Sequence, residues 1–155
     1  MIHFSELLLP GTVLAGVAVT NKKALLNLLA TAAAQAHDLD ARVIAATLGD
    51  RERLGSTGFG NGIAIPHGRL EGLGTMVGVF MRLQHPVDFQ AIDELPVDLV
   101  FMMLSPPDDG ARHLKALANV SRRLRDPGFL AKLRGAGSPD ALYALWTGDE
   151  SRDAA

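Results

Sequence analysis

The sequence predicts a single α/β domain: a central mixed β-sheet with helices on both faces. Three observations carry this. Helix-patterned segments come in two groups, one before and one after the strand-like segments, an order that a sheet sandwiched between helices satisfies. Two runs, Met76 to Leu83 and Val97 to Leu104, are almost continuously apolar, as strands covered on both faces are. The chain has 155 residues, 48 % apolar and 21 % charged, enough for one core and too few for two. The domain is expected to fill residues 1–155, with its core from about 7 to 146.

The elements follow in order. Leu7 to Val19 is apolar but short and broken by Pro10, Gly11 and Gly16, so it reads as a helical turn, a loop and a first strand near Gly16 to Val19. It is too short to span a bilayer, and no basic residue precedes it as in a secretory leader. Thr20 or Asn21 caps a helix to about Ala36, with Leu25, Leu28, Leu29 and Ala32 on one face. Asp38 or Asp40 starts a second helix with Leu39, Val43, Ile44 and Leu48 inward and Gly49 as its stop. Asp50 to Arg53 reads as a charged junction, and Gly55 to Gly62 as a loop or loose hairpin. Gly62 to Ile65 is a short strand ended by Pro66. After the two apolar runs, Pro106-Pro107 stops the second, Asp108-Asp109 opens a helix to about Arg125, and Pro127 begins a short helix to Arg134. Ser138-Pro139-Asp140 places a cap, a first-turn proline and an acid at the last helix. The tail from Thr147 is expected to fray.

Composition narrows the chemistry. A net charge of −2, from 15 basic and 17 acidic residues, argues against nucleic-acid binding driven by positive charge. The absence of cysteine removes disulfides, thiolate nucleophiles and cysteine zinc sites, and is compatible with the cytoplasm. Five histidines show no HExxH or other tight ligand spacing, so no metal is expected. His3, His37 and His85 read as solvated, with His85 in a turn before Pro86. Arg122, Arg123 and Arg125 read as a solvated helix face, and Met76, Met81, Met102 and Met103 as core filling.

The chemistry concentrates in Ser56 to Arg69, STGFGNGIAIPHGR. Pro66 fixes its own φ and biases Ile65 toward extended backbone, so the strand ends at a rigid corner that presents His67 beside Gly68. A neutral imidazole is nucleophilic, titrates near physiological pH, and can take up a phosphoryl group and pass it on. By spacing alone, His113 is equally a capped, partly buried helix histidine. Arg51 is equally a surface ion pair with Glu52 or Asp50, and Arg53 or Arg69 are alternative guanidinium donors.

The same stretch, preceded by RERLG and followed in order by VGVF, FQAIDELPVDLVFMML and a histidine within RHLKALANVSRRL, resembles the IIA domains of the phosphoenolpyruvate–sugar phosphotransferase system. The resemblance is to the fructose–mannitol class and, within it, to the nitrogen-regulatory type, and it spans Leu7 to Trp146. It implies a cytoplasmic phosphotransferase, with no metal and no organic cofactor, in which His67 accepts phosphate from a small histidine phosphocarrier protein. It further implies that His113 is the second active-site histidine and Arg51 the active-site arginine. A guanidinium can hold two phosphate oxygens at once, and a histidine near a helix N-terminus stays neutral and faces anions. The hydroxyls of Ser56 and Thr57 and the backbone near Gly60 and Asn61 are candidate further phosphate donors, or ordinary turn chemistry. Gly58, Phe59 and Gly68 are the expected docking surface. Nitrogen-type members act as phosphorylation-dependent regulators, with potassium-transport or sensor-kinase proteins as targets. The alternatives are a sugar-specific IIA component passing phosphate to a IIB partner, and a binding module without chemistry.

Overall fold

The computed structural model describes residues 2–154. A single turn α1 (Phe4–Leu7) and a 3₁₀ turn (Pro10–Thr12) lead into β1 (Val13–Val17). Two helices follow, α2 (Lys22–His37) and α3 (Ala41–Leu54). Then come the short strands β2 (Gly58–Gly60), β3 (Ile63–Ala64) and β4 (His67–Arg69), and the long strands β5 (Val77–Val87) and β6 (Val97–Ser105). Three helices close the chain: α4 (Gly110–Leu124), α5 (Pro127–Gly135) and α6 (Pro139–Ala154).

The sheet order is β1-β5-β6-β3-β2, with β4 also paired to β6. It is mixed: β1 runs parallel to β5, β5 antiparallel to β6, and β3 and β4 both parallel to β6. Strand β6 is buried along almost its whole length because both its faces are covered. Leu99, Phe101 and Met103 join one core with Leu7, Phe80, Val120 and Trp146, whereas Val100, Met102 and Leu104 join another with Leu25, Leu29, Ile44 and Leu48. Helices α2 and α3 therefore roof one face, and α1, α4, α5 and α6 the other. The near-continuous apolar run is the trace of that double cover. Trp146 centres the second layer, its ring within 5.2 Å, centroid to centroid, of Phe4, Phe80, Phe101 and Phe129.

The expected caps form: Asn21 accepts from the Ala24 N–H at 2.8 Å, Asp40 from Arg42 at 3.0 Å and Ser138 from Ala141 at 3.1 Å. Several boundaries differ from expectation. Strand β1 starts at Val13, and its register shifts between Leu14 and Val17, where Gly16 takes φ +62°; Gly16 marks the bulge near its end, not its start. Helix α3 runs through Gly49 to Leu54 and takes Arg51 into its last turn. A mid-helix glycine costs only about 1 kcal/mol, too little to stop a helix pinned by fully buried Ile44 and Leu48. Strand β5 continues through His85 and Pro86 to Val87. Its pairing with β1 ends at Leu83, so Pro86 sits on a free edge where no donor is needed. Helix α6 extends to Ala154 instead of ending near Thr147. His3 and His85 are exposed as expected, but His37 is half-buried and its Nε2 is shielded from solvent.

Candidate active site around His67

Strands β3 and β4 lie in line along one edge of β6. Ile63 pairs with Leu99 and His67 with Met103. Between them the Ile65-Pro66 corner stays attached, since the Met103 N–H donates to the Pro66 carbonyl at 2.9 Å. His67 is thus the first residue after a corner stitched to the central strand. Its Nδ1 lies 2.7 Å from the Ile65 carbonyl oxygen. A carbonyl only accepts, so Nδ1 carries the proton and Nε2 keeps its lone pair.

Gly68 explains why α3 comes so close. A Cβ at this position would lie 2.7 Å from Thr47 Cγ2, so glycine lets the helix settle on β4. Arg51 follows Thr47 by one helical turn, on the same face. Its Nη1 donates to the Gly55 carbonyl at 3.0 Å, and its charge reaches the His67 ring. Burial is the main force holding His67 below its ordinary value of 6.5. The Ile65 carbonyl opposes it, Arg51 adds to the lowering and Glu52 opposes.

His113 sits in the first turns of α4, 5 % exposed, with its ring centroid 5.6 Å from that of His67. Its Nδ1 lies 2.6 Å from Ser105 Oγ. Burial again leads in lowering its pKa, followed by the charges of His67 and Arg69. Arg69 is two residues beyond His67 and so on the same face of β4; its Nη1 donates to the Pro107 carbonyl at 3.2 Å. Both imidazoles are accordingly neutral at pH 7. The structure brings together two neutral histidines with a guanidinium near each, a constellation able to receive an anionic group on Nε2 of His67.

The other expected contacts have separate engagements. Ser56 Oγ donates to the Phe89 carbonyl at 3.0 Å and accepts from the Gly58 N–H. The Thr57 hydroxyl donates to Glu52, which also accepts the Thr57 N–H at 3.1 Å. Glu52, its side chain 6 % exposed, is further paired with Lys22 at 2.9 Å. These hydroxyls hold the loop before the corner, and their protons are used there. Gly60 and Asn61 lie at the opposite end of the sheet. Gly60 pairs with Ile63, whose partner Leu99 is four residues along β6 from the partner of His67, about 13 Å away. There Asn61 (φ 58°) and Gly62 (φ 81°) form the β2–β3 turn, an Asn-Gly pair suited to positive φ. The Asn61 N–H is taken by Asp93 at 3.0 Å and its carbonyl by Arg134 at 2.7 Å. Gly58 is buried against Ala91, and Phe59 is half-buried on the core. The exposed apolar side chains nearest in sequence to the site are instead Leu54, 85 % exposed, and Leu114, 65 % exposed.

Sequence reasoning missed Ser105 and Glu52. Ser105 carries a faint signal, as the polar residue that breaks the apolar run just before Pro106-Pro107. Glu52 sits in a stretch of alternating charges that gives no hint of its burial. Among the described residues, no three His, Asp or Glu side chains group as a metal site, and no helix is long and apolar enough to cross a membrane.

The chain has relatives among known proteins. The chain is 43 % identical over 141 residues to a nitrogen regulatory protein of Bradyrhizobium diazoefficiens, covering 91 % of this chain and 92 % of that one. It is 44 % identical over 131 residues to that of Escherichia coli K12, covering 84 % and 80 %. A fructose-specific EIIA component of a phosphotransferase system from Haloferax volcanii is 37 % identical over 114 residues, 74 % of this chain and 73 % of that one. Among solved structures, nitrogen regulatory protein IIA-Ntr from Neisseria meningitidis superposes with a TM-score of 0.88 at 31 % identity, over 93 % of this chain and 99 % of that one. The family model for the phosphoenolpyruvate-dependent sugar phosphotransferase system, EIIA 2, matches residues 6–147, nearly the same span as the motif resemblance from Leu7 to Trp146, and the chain belongs to that family.

Proposed function

We propose that the protein is a phosphoryl carrier that accepts phosphate on Nε2 of His67 from a histidine phosphocarrier protein. The observation that carries this is the 2.7 Å contact from Nδ1 to the Ile65 carbonyl, which leaves Nε2 as the nucleophile. Its lone pair forms the new N–P bond while the old N–P pair returns to the carrier's ring. The proton stays on Nδ1, donated to the Ile65 carbonyl throughout, so no proton transfer is required. Positioning and charge stabilisation then dominate the chemistry. Arg51 supplies a guanidinium and His113 an N–H donor to the phosphoryl oxygens. Ser56 and Thr57 act by holding the loop. Leu54 and Leu114, the exposed apolar side chains nearest in sequence to the site, supply the docking surface for the carrier.

The regulatory reading is favoured by the similarity to nitrogen regulatory proteins. A doubly negative group on His67 changes what the surrounding face can bind, with potassium-transport or sensor-kinase proteins as target classes. The similarity to a fructose-specific EIIA component supports the second reading, transfer onward to a IIB protein.

Incubation with phosphoenolpyruvate, enzyme I and the carrier, followed by intact mass measurement, tests the proposal. The chain is expected to gain one acid-labile phosphate, and His67→Ala none. A gain that survives His67→Ala would overturn it. Phosphate passing to a IIB protein at a physiological rate separates transport from regulation.

A further inference from the structure

Ser105 and the ring of His113 make a contact that the carrier reading leaves without a purpose. Ser105 closes β6 and is fully buried, and its Oγ lies 2.6 Å from Nδ1 of an imidazole that is only 5 % exposed. Both partners are held by backbone. Ser105 is paired with Arg69 of β4, and its carbonyl accepts the Leu70 N–H at 2.9 Å. The His113 N–H donates to the Asp109 carbonyl at 3.0 Å. The contact therefore ties the end of the central strand to the first turn of α4. It leaves Nε2 as the His113 nitrogen available to a group on His67, 5.6 Å away between ring centroids.

The proton on this contact has two possible owners. A hydroxyl has one proton and two lone pairs, and a neutral imidazole has one N–H and one lone pair. If Nδ1–H donated to Ser105, the hydroxyl proton would be buried without an acceptor, since His113 is the one partner of that hydroxyl among the described residues. A buried donor left unmade bears its full desolvation cost, whereas a spare lone pair on an oxygen is tolerated more easily. If Ser105 donates to Nδ1, its only proton is used and the imidazole proton must sit on Nε2. The imidazolium alternative is disfavoured by the position of His113 near a helix N-terminus and by Arg69 nearby.

We infer that Ser105 is a positioning residue: by donating its hydroxyl proton to Nδ1, it holds neutral His113 as the tautomer with N–H at Nε2, the nitrogen that faces the phosphoryl oxygens. The purpose of this device rests on the carrier reading, but its geometry does not. Without it, the two tautomers of a buried neutral ring compete, and one of them offers the phosphoryl group a lone pair instead of a donor.

Long-range ¹⁵N–¹H correlation spectra of the unphosphorylated full chain at pH 8, with ¹⁵N-histidine, read the tautomer directly. His113 is expected to show an unprotonated Nδ1 and a protonated Nε2. In Ser105→Ala that preference is lost and phosphoryl uptake slows about 10-fold to 100-fold, the scale known for residues that orient metal-bound histidines. Ser105→Thr, which keeps the hydroxyl, restores both. A protonated Nδ1 in the wild-type chain would overturn the inference, as would Ser105→Ala with unchanged tautomer and uptake. If Ser105→Ala fails to fold, the wild-type spectrum still decides. A chain that takes no phosphate yet shows the Nε2–H form would sink the carrier reading and leave the tautomer assignment standing.

Discussion

At His67 the two nitrogens of one ring have separate tasks, and this sets how the residue responds to pH. Burial keeps its pKa below 6.5, so the neutral nucleophile persists as the medium acidifies to that value. The midpoint of single-turnover phosphoryl uptake against pH is expected below 6.5; an inflection above 6.5 would contradict the burial argument. The same shift bears on stability. His67 and His113 both bind protons less readily folded than unfolded. Their contribution is therefore complete above the unfolded value of about 6.5 and is lost as pH falls through the folded values. Urea midpoints should decline over that range, and less so in a His67→Gln, His113→Gln double variant. Arg51→Ala should lower uptake by about 100-fold or more, with Arg51→Lys recovering part of it, because an ammonium supplies charge but not a planar fork. Of these roles, the corner before His67 was legible, since Pro66 fixes its own φ and biases Ile65 toward extended backbone. Ser105 was not, because its importance lies in a partner eight residues away that only the strand-to-helix turn brings near.

At the scale of elements, the site depends on α3 lying against β4, and Gly68 is the point of closest approach. Gly68→Ala would put a methyl 2.7 Å from Thr47 Cγ2. It is expected to cost about 1–3 kcal/mol, the usual range for overpacking, and to slow uptake by moving Arg51 away from His67. Thr47→Ser removes that Cγ2, so adding it to Gly68→Ala should recover stability, a coupling readable in a double-mutant cycle. Helices, caps and the two long strands could be read from apolar spacing and from Asn21, Asp40 and Ser138. The ends of α3 and β5 could not. Gly49 and Pro86 are punctuation in isolation, and packing by Ile44 and Leu48, or the end of β1 beside β5, decides whether it is obeyed. The placement of Asn61 was equally hidden: six residues before His67 in sequence, it belongs to the other end of the sheet because β3 and β4 run on in one line.

For the whole molecule, the four-helix face is organised by Trp146, which joins α6 to α1, α5 and the sheet. Trp146→Ala is expected to cost about 3–5 kcal/mol, measurable by denaturant unfolding. Trp146→Phe should cost much less, because Nε1 has no hydrogen-bond partner among the described residues to lose. Strand β6, with almost every side chain sealed between the two cores, anchors the corner that carries His67. Adding PO₃ at that corner alters the electric field of a surface whose backbone is fixed beneath it. A binding protein that tells the modified form from the bare one is therefore expected to do so by Coulomb attraction or repulsion over an unchanged contour, and its preference should fade as added salt shortens the Debye length.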